Sequence, residues 1–418
     1  MKTRTSNRKN LLILSSTLVV VMLGFGMVIP IFPFYIERLG AGGSALGLLV
    51  ATAALTELLF GPLWGSISDR VGRKPILMIG MFGYGLSLLL FGLSTQLWMF
   101  FASRALSGVL SSAMLTTAMA YIGDSTGEKE RGGGMGALGA AAGLGVILGP
   151  GLGGWLGASG SLSMPFFAGA GLSLVSLLLI ALLLPETLSF EARNTANRKI
   201  GLVGFRELWR ALFSPIGKLL FLAFIGTVGT SNFESIFGLY AVDVFGYGPE
   251  QVGLVLTVVG VVAVIGRGLL TGLATKWLGE ATVIKAALLA GAMTFVLLLL
   301  AKSDWAVLLT TGLFVLITAF FRPAVHSLTS QRATVGQGAA MGLSNSFVSL
   351  GRVVGPIWAG AVFDLNPDYP YISGAVILFM VFLLSLAWLT AGKTLAGGAR
   401  GAGTPGEKEV PLITPARK

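Results

Sequence analysis

Six ionisable side chains stand where the surrounding sequence has almost no polarity: Glu57, Glu234, Arg104, Arg267, Arg322 and Arg352. Each lies inside an apolar run long enough to cross a bilayer as a helix. A charge in such a place is costly, and it marks a functional site by default. A buried carboxyl group can take a proton on one side of a membrane and release it on the other, and it can pair with a cation. Glu234 follows Asn232 and stands between Phe233 and Phe237. Aromatic faces beside a carboxylate suit a lipophilic cation, through apolar contact and cation–π attraction. The competing reading of Glu234 is an interhelical hydrogen-bond partner, and of Glu57 a simple ion pair with an arginine. Arg104, Arg322 and Arg352 are candidates for coupling protonation to substrate, or for neutralising these acids. Arg267 reads as structural. The single histidine, His326, sits near the end of its apolar run and reads as interfacial.

The elements that must hold these groups are set by composition. Of 418 residues, 54% are apolar and 11% charged, with a mean hydropathy of +0.84. Soluble domains carry roughly 25% charged residues. In lipid the backbone must satisfy its own hydrogen bonds, so the apolar runs are helices. Twelve are expected, at about 11–36, 44–64, 76–94, 97–123, 132–157, 164–184, 217–241, 250–275, 281–301, 304–327, 336–363 and 370–391. Pro30 and Pro33 are expected to bend the first, where Phe32, Phe34 and Tyr35 face either lipid or a cavity. The basic start, Lys2 to Lys9, reads as the flank of a retained first span rather than of a cleaved signal. The chain has no cysteine and one histidine, which excludes disulfides and thiolate or multi-histidine metal sites. No metal and no cofactor are expected.

Lysines and arginines set the orientation. If the N-terminus is cytoplasmic, 23 of the 29 fall in inner segments, two (Arg38 and Lys302) in outer loops and four within helices. That bias places both termini in the cytoplasm. It also accounts for the net charge of +11 without a nucleic acid partner, because the surplus faces anionic lipid. The longest polar break carries Glu186, Glu191, Arg193, Arg198, Lys199, Arg206, Glu207 and Arg210. It divides the chain into a six-helix bundle (1–185), a cytoplasmic central loop (186–216) and a second six-helix bundle (217–393). A disordered cytoplasmic tail (394–418) is expected to follow.

The halves repeat. Gly136, Gly145, Gly149, Pro150 and Gly154 recur as Gly342, Gly351, Gly355, Pro356 and Gly360, each 206 residues on. The same offset relates Gly40 to Gly246, Gly47 to Gly253 and Leu48 to Leu254. Two parallel six-helix repeats, related by a pseudo-two-fold axis along the membrane normal, are the architecture of a rocking transporter with its site between the halves.

The segment after the second span reads Gly65-Ser-Ile-Ser-Asp69-Arg70-Val-Gly72-Arg73-Lys74. It resembles the signature loop of the major facilitator superfamily, at that family's position between helices 2 and 3. The eleventh span begins on the same side, so its positive dipole end is near Asp69. Gly65, Asp69, Arg70, Gly72, Arg73 and Lys74 are therefore expected to form a conformational latch, against the alternative that they only set topology. Arg104-Ala-Leu-Ser-Gly108 resembles the family's helix 4 arginine motif, which implies proton coupling. Gly136, Gly145, Gly149, Pro150, Gly153 and Gly154 resemble the antiporter motif of its drug-exporting branches. Gly145, Gly149 and Gly153 also share a helix face that permits close packing. The resemblance covers residues 11–391 and is to the quinolone and multidrug efflux proteins of Gram-positive bacteria. Those exporters often have an acid three positions before the helix 10 arginine, where this chain has Ala319. A one-acid coupling scheme or a different second acid is then needed.

The expectation is a monomeric, multi-pass cell-membrane exporter of small amphipathic or cationic compounds, driven by proton antiport through alternating access. Its candidate cavity residues are Pro30, Phe34, Asn232, Phe233 and Phe237. No phosphate-binding G-x-x-x-x-G-K-[ST] loop is present, so a gradient rather than ATP is the expected power source. Two readings stay open beside it: an exporter of one substrate, such as tetracycline, a sugar or a metabolite, and an intramembrane serine protease on Gly157-Ala-Ser159-Gly160 with His326 as base.

Overall fold

A computed structural model describes residues 2–188, 205–333 and 336–389. The expected tail and Glu191, Arg193, Arg198 and Lys199 of the central segment lie outside the described residues. Among the described residues, twelve helices are long and apolar enough to cross a membrane: α1 (Lys9–Arg38), α2 (Gly43–Val71), α3 (Arg73–Leu93), α4 (Leu97–Ser125), α5 (Gly132–Ser159), α6 (Met164–Leu183), α7 (Gly217–Phe245), α8 (Pro249–Leu278), α9 (Glu280–Leu299), α10 (Asp304–Gln331), α11 (Gln337–Phe363) and α12 (Tyr369–Trp388). No strand occurs among the described residues. A short helix, Phe205–Leu212, precedes α7.

Three spans are interrupted, each beside the space between the halves. α1 stops at Val28 and resumes at Phe32; Pro30 and Pro33 lack the N–H donors that would carry the ladder through. α8 contains a π-helical turn at Gly266–Leu270, a deviation common at functional sites. α10 breaks at Phe320, just before Arg322 and Pro323. By contrast, α5 and α11 run unbroken through Pro150 and Pro356.

The sequence repeat is a packing repeat. Inside the halves, Gly145, Gly149 and Gly153 of α5 lie on Val19 to Met27 of α1, and Gly351 and Gly355 of α11 lie on Phe224 to Ser231 of α7. Between the halves, a β-carbon on Gly47 of α2 would strike the Pro356 carbonyl and Gly360 of α11. One on its mate Gly253 of α8 would strike the Pro150 carbonyl and Gly154 of α5. Gly145 and Gly351, Gly149 and Gly355, Gly47 and Gly253, Pro150 and Pro356, and Gly154 and Gly360 are each 206 residues apart. Glycine is required there because the backbones themselves touch.

These two contacts close only one end of the molecule. At the end carrying the 39–42 and 364–368 loops, Gly43 presses on Gly360 and Phe363, and Gly154 on Pro249. At the opposite end a β-carbon on Gly65, Gly136, Gly338 or Gly342 would meet nothing within 4 Å. Among the described residues, no such glycine contact joins the halves at the end that carries the signature loop.

Candidate functional site

The gap between the halves holds a cavity of about 1640 Å³ empty volume, including the solvent at its mouth. The interrupted helices supply its charged walls. The break in α1 places Phe32 and Pro33 on it, the π turn of α8 places Arg267, and the break in α10 places Arg322. Glu57, Arg104, Glu234 and Arg352 complete the set, so all six ionisable groups read as intramembrane line one space.

Two ion pairs form there. Arg322 Nη2 lies 3.4 Å from Glu234 Oε2, within the second half. Arg352 Nη1 lies 3.9 Å from Glu57 Oε2, bridging α11 and α2 across the halves. Both pairs are partly exposed to the cavity, so neither is locked by burial. Arg104 is only 7% exposed. Its guanidinium carbon sits 5.7 Å from the Phe25 ring centre and 5.2 Å from that of Phe32. Its Nε is buried without a hydrogen-bond partner.

The aromatic wall is partly as expected. Phe233 and Phe237 face the cavity with ring centres 4.9 Å apart, and Phe314 backs Phe233 at 5.0 Å. Pro30, Phe34 and Asn232 do not line it. Pro30 is buried and Phe34 packs against the core of the bundle. Asn232 is fully buried, donates from Nδ2 to the Val228 carbonyl at 3.0 Å and lies against Gly374 of α12. Phe25 and Phe32 take their place. Tyr35 joins a ring cluster with Phe100 and Phe166 and bonds Ser163. Arg267, read as structural from sequence, lines the cavity.

The signature loop is held within its own half. Arg73, 6% exposed, pairs through Nη1 with Asp69 at 2.6 Å and through Nε with Asp124 of α4 at 2.8 Å. The backbone N–H groups of Arg73 and Lys74 donate to the Glu186 carboxylate at 2.9 and 3.1 Å, and Lys74 Nζ to the Ala181 carbonyl. The expected contact of Asp69 with the start of α11 is not made in this conformation. At the closed end an equivalent contact exists: Asp364, at the end of α11, accepts from the N–H groups of Gly43 and Ser44 at the start of α2. Asp124, Glu186 and Asp364 sit at span ends, where a charge is ordinary, and nothing local in the sequence separates them from interfacial residues.

His326 Nδ1 faces Ser344 at 3.1 Å. Ser159 Oγ donates to Leu156 at the closed end, so no serine–histidine pair of the protease reading is assembled.

A family model described as the Major Facilitator Superfamily matches residues 14–334 and 219–417. Multidrug resistance protein 2 of Bacillus subtilis is 32% identical over 390 residues, covering 93% of this chain and 97% of that protein. Multidrug resistance protein 1 of the same organism is 34% identical over 379 residues, covering 90% and 96%. Quinolone resistance protein NorA of Staphylococcus aureus is 29% identical over 390 residues, covering 91% and 94%. Among solved structures, a bacterial homolog of the human lysosomal transporter Spinster, inward-facing and unoccupied, superposes with a TM-score of 0.77 at 15% identity, covering 92% of this chain and 98% of that one. The nucleoside transporter NupG gives 0.76 at 16%, covering 91% and 100%.

Proposed function

The chain belongs to the Major Facilitator Superfamily, and on that premise we propose that it exports small amphipathic compounds of several chemical kinds by proton antiport. The observation that carries the reading is the cavity: Glu234 and Glu57, each beside an arginine of the same space, with Phe25, Phe32, Phe233 and Phe237 around them. Apolar walls with a few convergent charges bind lipophilic molecules without demanding one shape. Its relatives among multidrug resistance proteins support the breadth of the substrate range.

Coupling follows from competition. A carboxylate paired with an arginine is available either to a proton or to a cationic substrate group, not to both. Proton uptake at Glu234, with Glu57 as second acid, releases substrate, and proton loss on the other side restores the site. Glu57 supplies the second acid that Ala319 does not, and its pair with Arg352 spans the two halves, so its protonation also loosens one conformation. The protein acts as a monomer without a cofactor.

Two carboxylate latches at opposite ends govern the alternation. The positive-inside bias puts the signature-loop end in the cytoplasm, so this conformation opens inward. Asp364 on the α2 N-terminus holds the outer end shut, and Asp69 on the α11 N-terminus holds the inner end shut in the outward-open state. Both use the helix dipole in the same way.

Reconstituted protein under an imposed pH gradient tests the reading. It is expected to move ethidium against its gradient. A sealed, well-folded preparation that moves no dye overturns it.

A further inference from the structure

The cavity holds more positive than negative charge. Four guanidinium groups, Arg104, Arg267, Arg322 and Arg352, face it with two carboxylates, Glu57 and Glu234. Arg322 and Arg352 are each paired with an acid. Arg104 and Arg267 have no ion pair or side-chain hydrogen bond among the described residues.

Arg104 is the informative one. It is more than nine-tenths buried and its Nε is unpartnered. Its contacts with Phe25 and Phe32 are ring faces, which attract a cation without filling its hydrogen bonds. Glu57, an acid of the same cavity, is engaged by Arg352 instead. Leaving a buried guanidinium unpaired is costly, and a planar carboxylate is the group its fork fits best. Ala319, buried against Gly266 next to Arg267, adds a methyl group where an acid would have cut the surplus from two positive charges to one.

We propose that Arg104 is a specificity residue that binds the carboxylate of amphipathic anionic or zwitterionic substrates, with their ring systems against Phe25 and Phe32. This deepens the exporter reading and rests on it. The substrate then carries both features the cavity offers to match: an apolar body for the phenylalanines and one negative group for the unpaired arginine. A purely cationic amphipath has the apolar walls and the two arginine-paired carboxylates to meet, but leaves Arg104 unpartnered in a site with two surplus positive charges.

The test is a matched pair of dyes, rhodamine B, which carries a free carboxylate, and its ethyl ester. Both are titrated into the purified full-length protein in nanodiscs and followed by fluorescence anisotropy. The acid is expected to bind about tenfold more tightly than the ester. In Arg104→Gln that ratio is expected to fall to about one. Where that variant is not monodisperse, Arg104→Lys keeps the charge and loses the fork, and the ratio is expected to fall by at least about threefold. Equal or tighter binding of the ester to the unmodified protein overturns the proposal, as does a ratio that survives both substitutions. Ethidium export by the same protein under a pH gradient reads the exporter function separately. Export with no preference for the acid dye removes the carboxylate site and leaves the exporter, whereas failure of export together with failure to bind either dye removes both.

Discussion

Asp364 closes one end of the molecule by capping a helix of the other half: its Oδ1 accepts from the Gly43 N–H at 2.5 Å and its Oδ2 from the Ser44 N–H at 2.9 Å. A carboxylate at a partly exposed helix N-terminus contributes about 1 kcal/mol. Asp364→Ala is therefore expected to shift the ratio of closed to open outer ends roughly fivefold toward open. The chain has no native cysteine, so spin labels at Val71→Cys and Gly338→Cys report the opposite end without background. Electron–electron distance measurements are expected to show that pair moving closer in Asp364→Ala and staying apart in Asp69→Ala. Identical distributions in all backgrounds contradict the paired latches.

Glu234→Gln keeps the shape of the side chain and removes its charge and its proton exchange. Arg322, 3.4 Å away, loses its anion but keeps an acceptor. The variant is expected to insert and purify normally and to lose gradient-driven dye movement by at least about tenfold. Unchanged transport, measured in the same vesicles, sinks the assignment of Glu234.

The glycines divide by what they touch. Gly47→Ala and Gly253→Ala each drive a methyl group into a backbone carbonyl of the other half, which cannot rotate away. Each is expected to cost about 1–3 kcal/mol, seen as a lower thermal midpoint of the detergent-solubilised protein. Gly342→Ala meets nothing within 4 Å, and a helical alanine there is expected to be worth roughly 0.5–1 kcal/mol more than glycine. A midpoint in Gly47→Ala no lower than in Gly342→Ala contradicts the backbone contact.

Ala319→Asp adds an acid one turn before Arg322 and beside the π turn that carries Arg267. The charge count in the cavity then approaches balance, and the preference for the carboxylate dye over its ester is expected to shrink about threefold or more. The dye titration that measures the unmodified protein measures this variant too, and a larger preference runs against the charge argument.

Much of this was legible from residue type alone. Glu57, Glu234, Arg104, Arg322 and Arg352 stand out because an apolar background makes any charge conspicuous, and the offset of 206 singled out Gly47, Gly253, Gly154 and Gly360 as repeat mates, though not that they meet across the halves. What stayed hidden was direction around a helix axis. α7 is buried on nearly every face, so no polar side distinguishes Asn232, which turns into its own bundle, from Phe233, which turns to the cavity. Pro30 and Phe34 were misplaced for a related reason: the break at 29–31 changes the helical phase on which a facing is counted. Arg267 was missed because the π turn rotates it, and a π turn leaves no residue pattern to read. Asp124, Glu186 and Asp364 find partners far along the chain, and charges at span ends carry no signal of their own.

The most direct measurement is movement of two unlike dyes, ethidium and rhodamine B, into sealed proteoliposomes on which a pH gradient is imposed, acid on the side toward which dye accumulates. The account predicts that both accumulate against their own gradients, that a protonophore stops them, and that Glu234→Gln removes the effect. Movement of one dye alone contradicts broad export and points to a single-substrate carrier; accumulation that survives collapse of the pH gradient contradicts proton antiport.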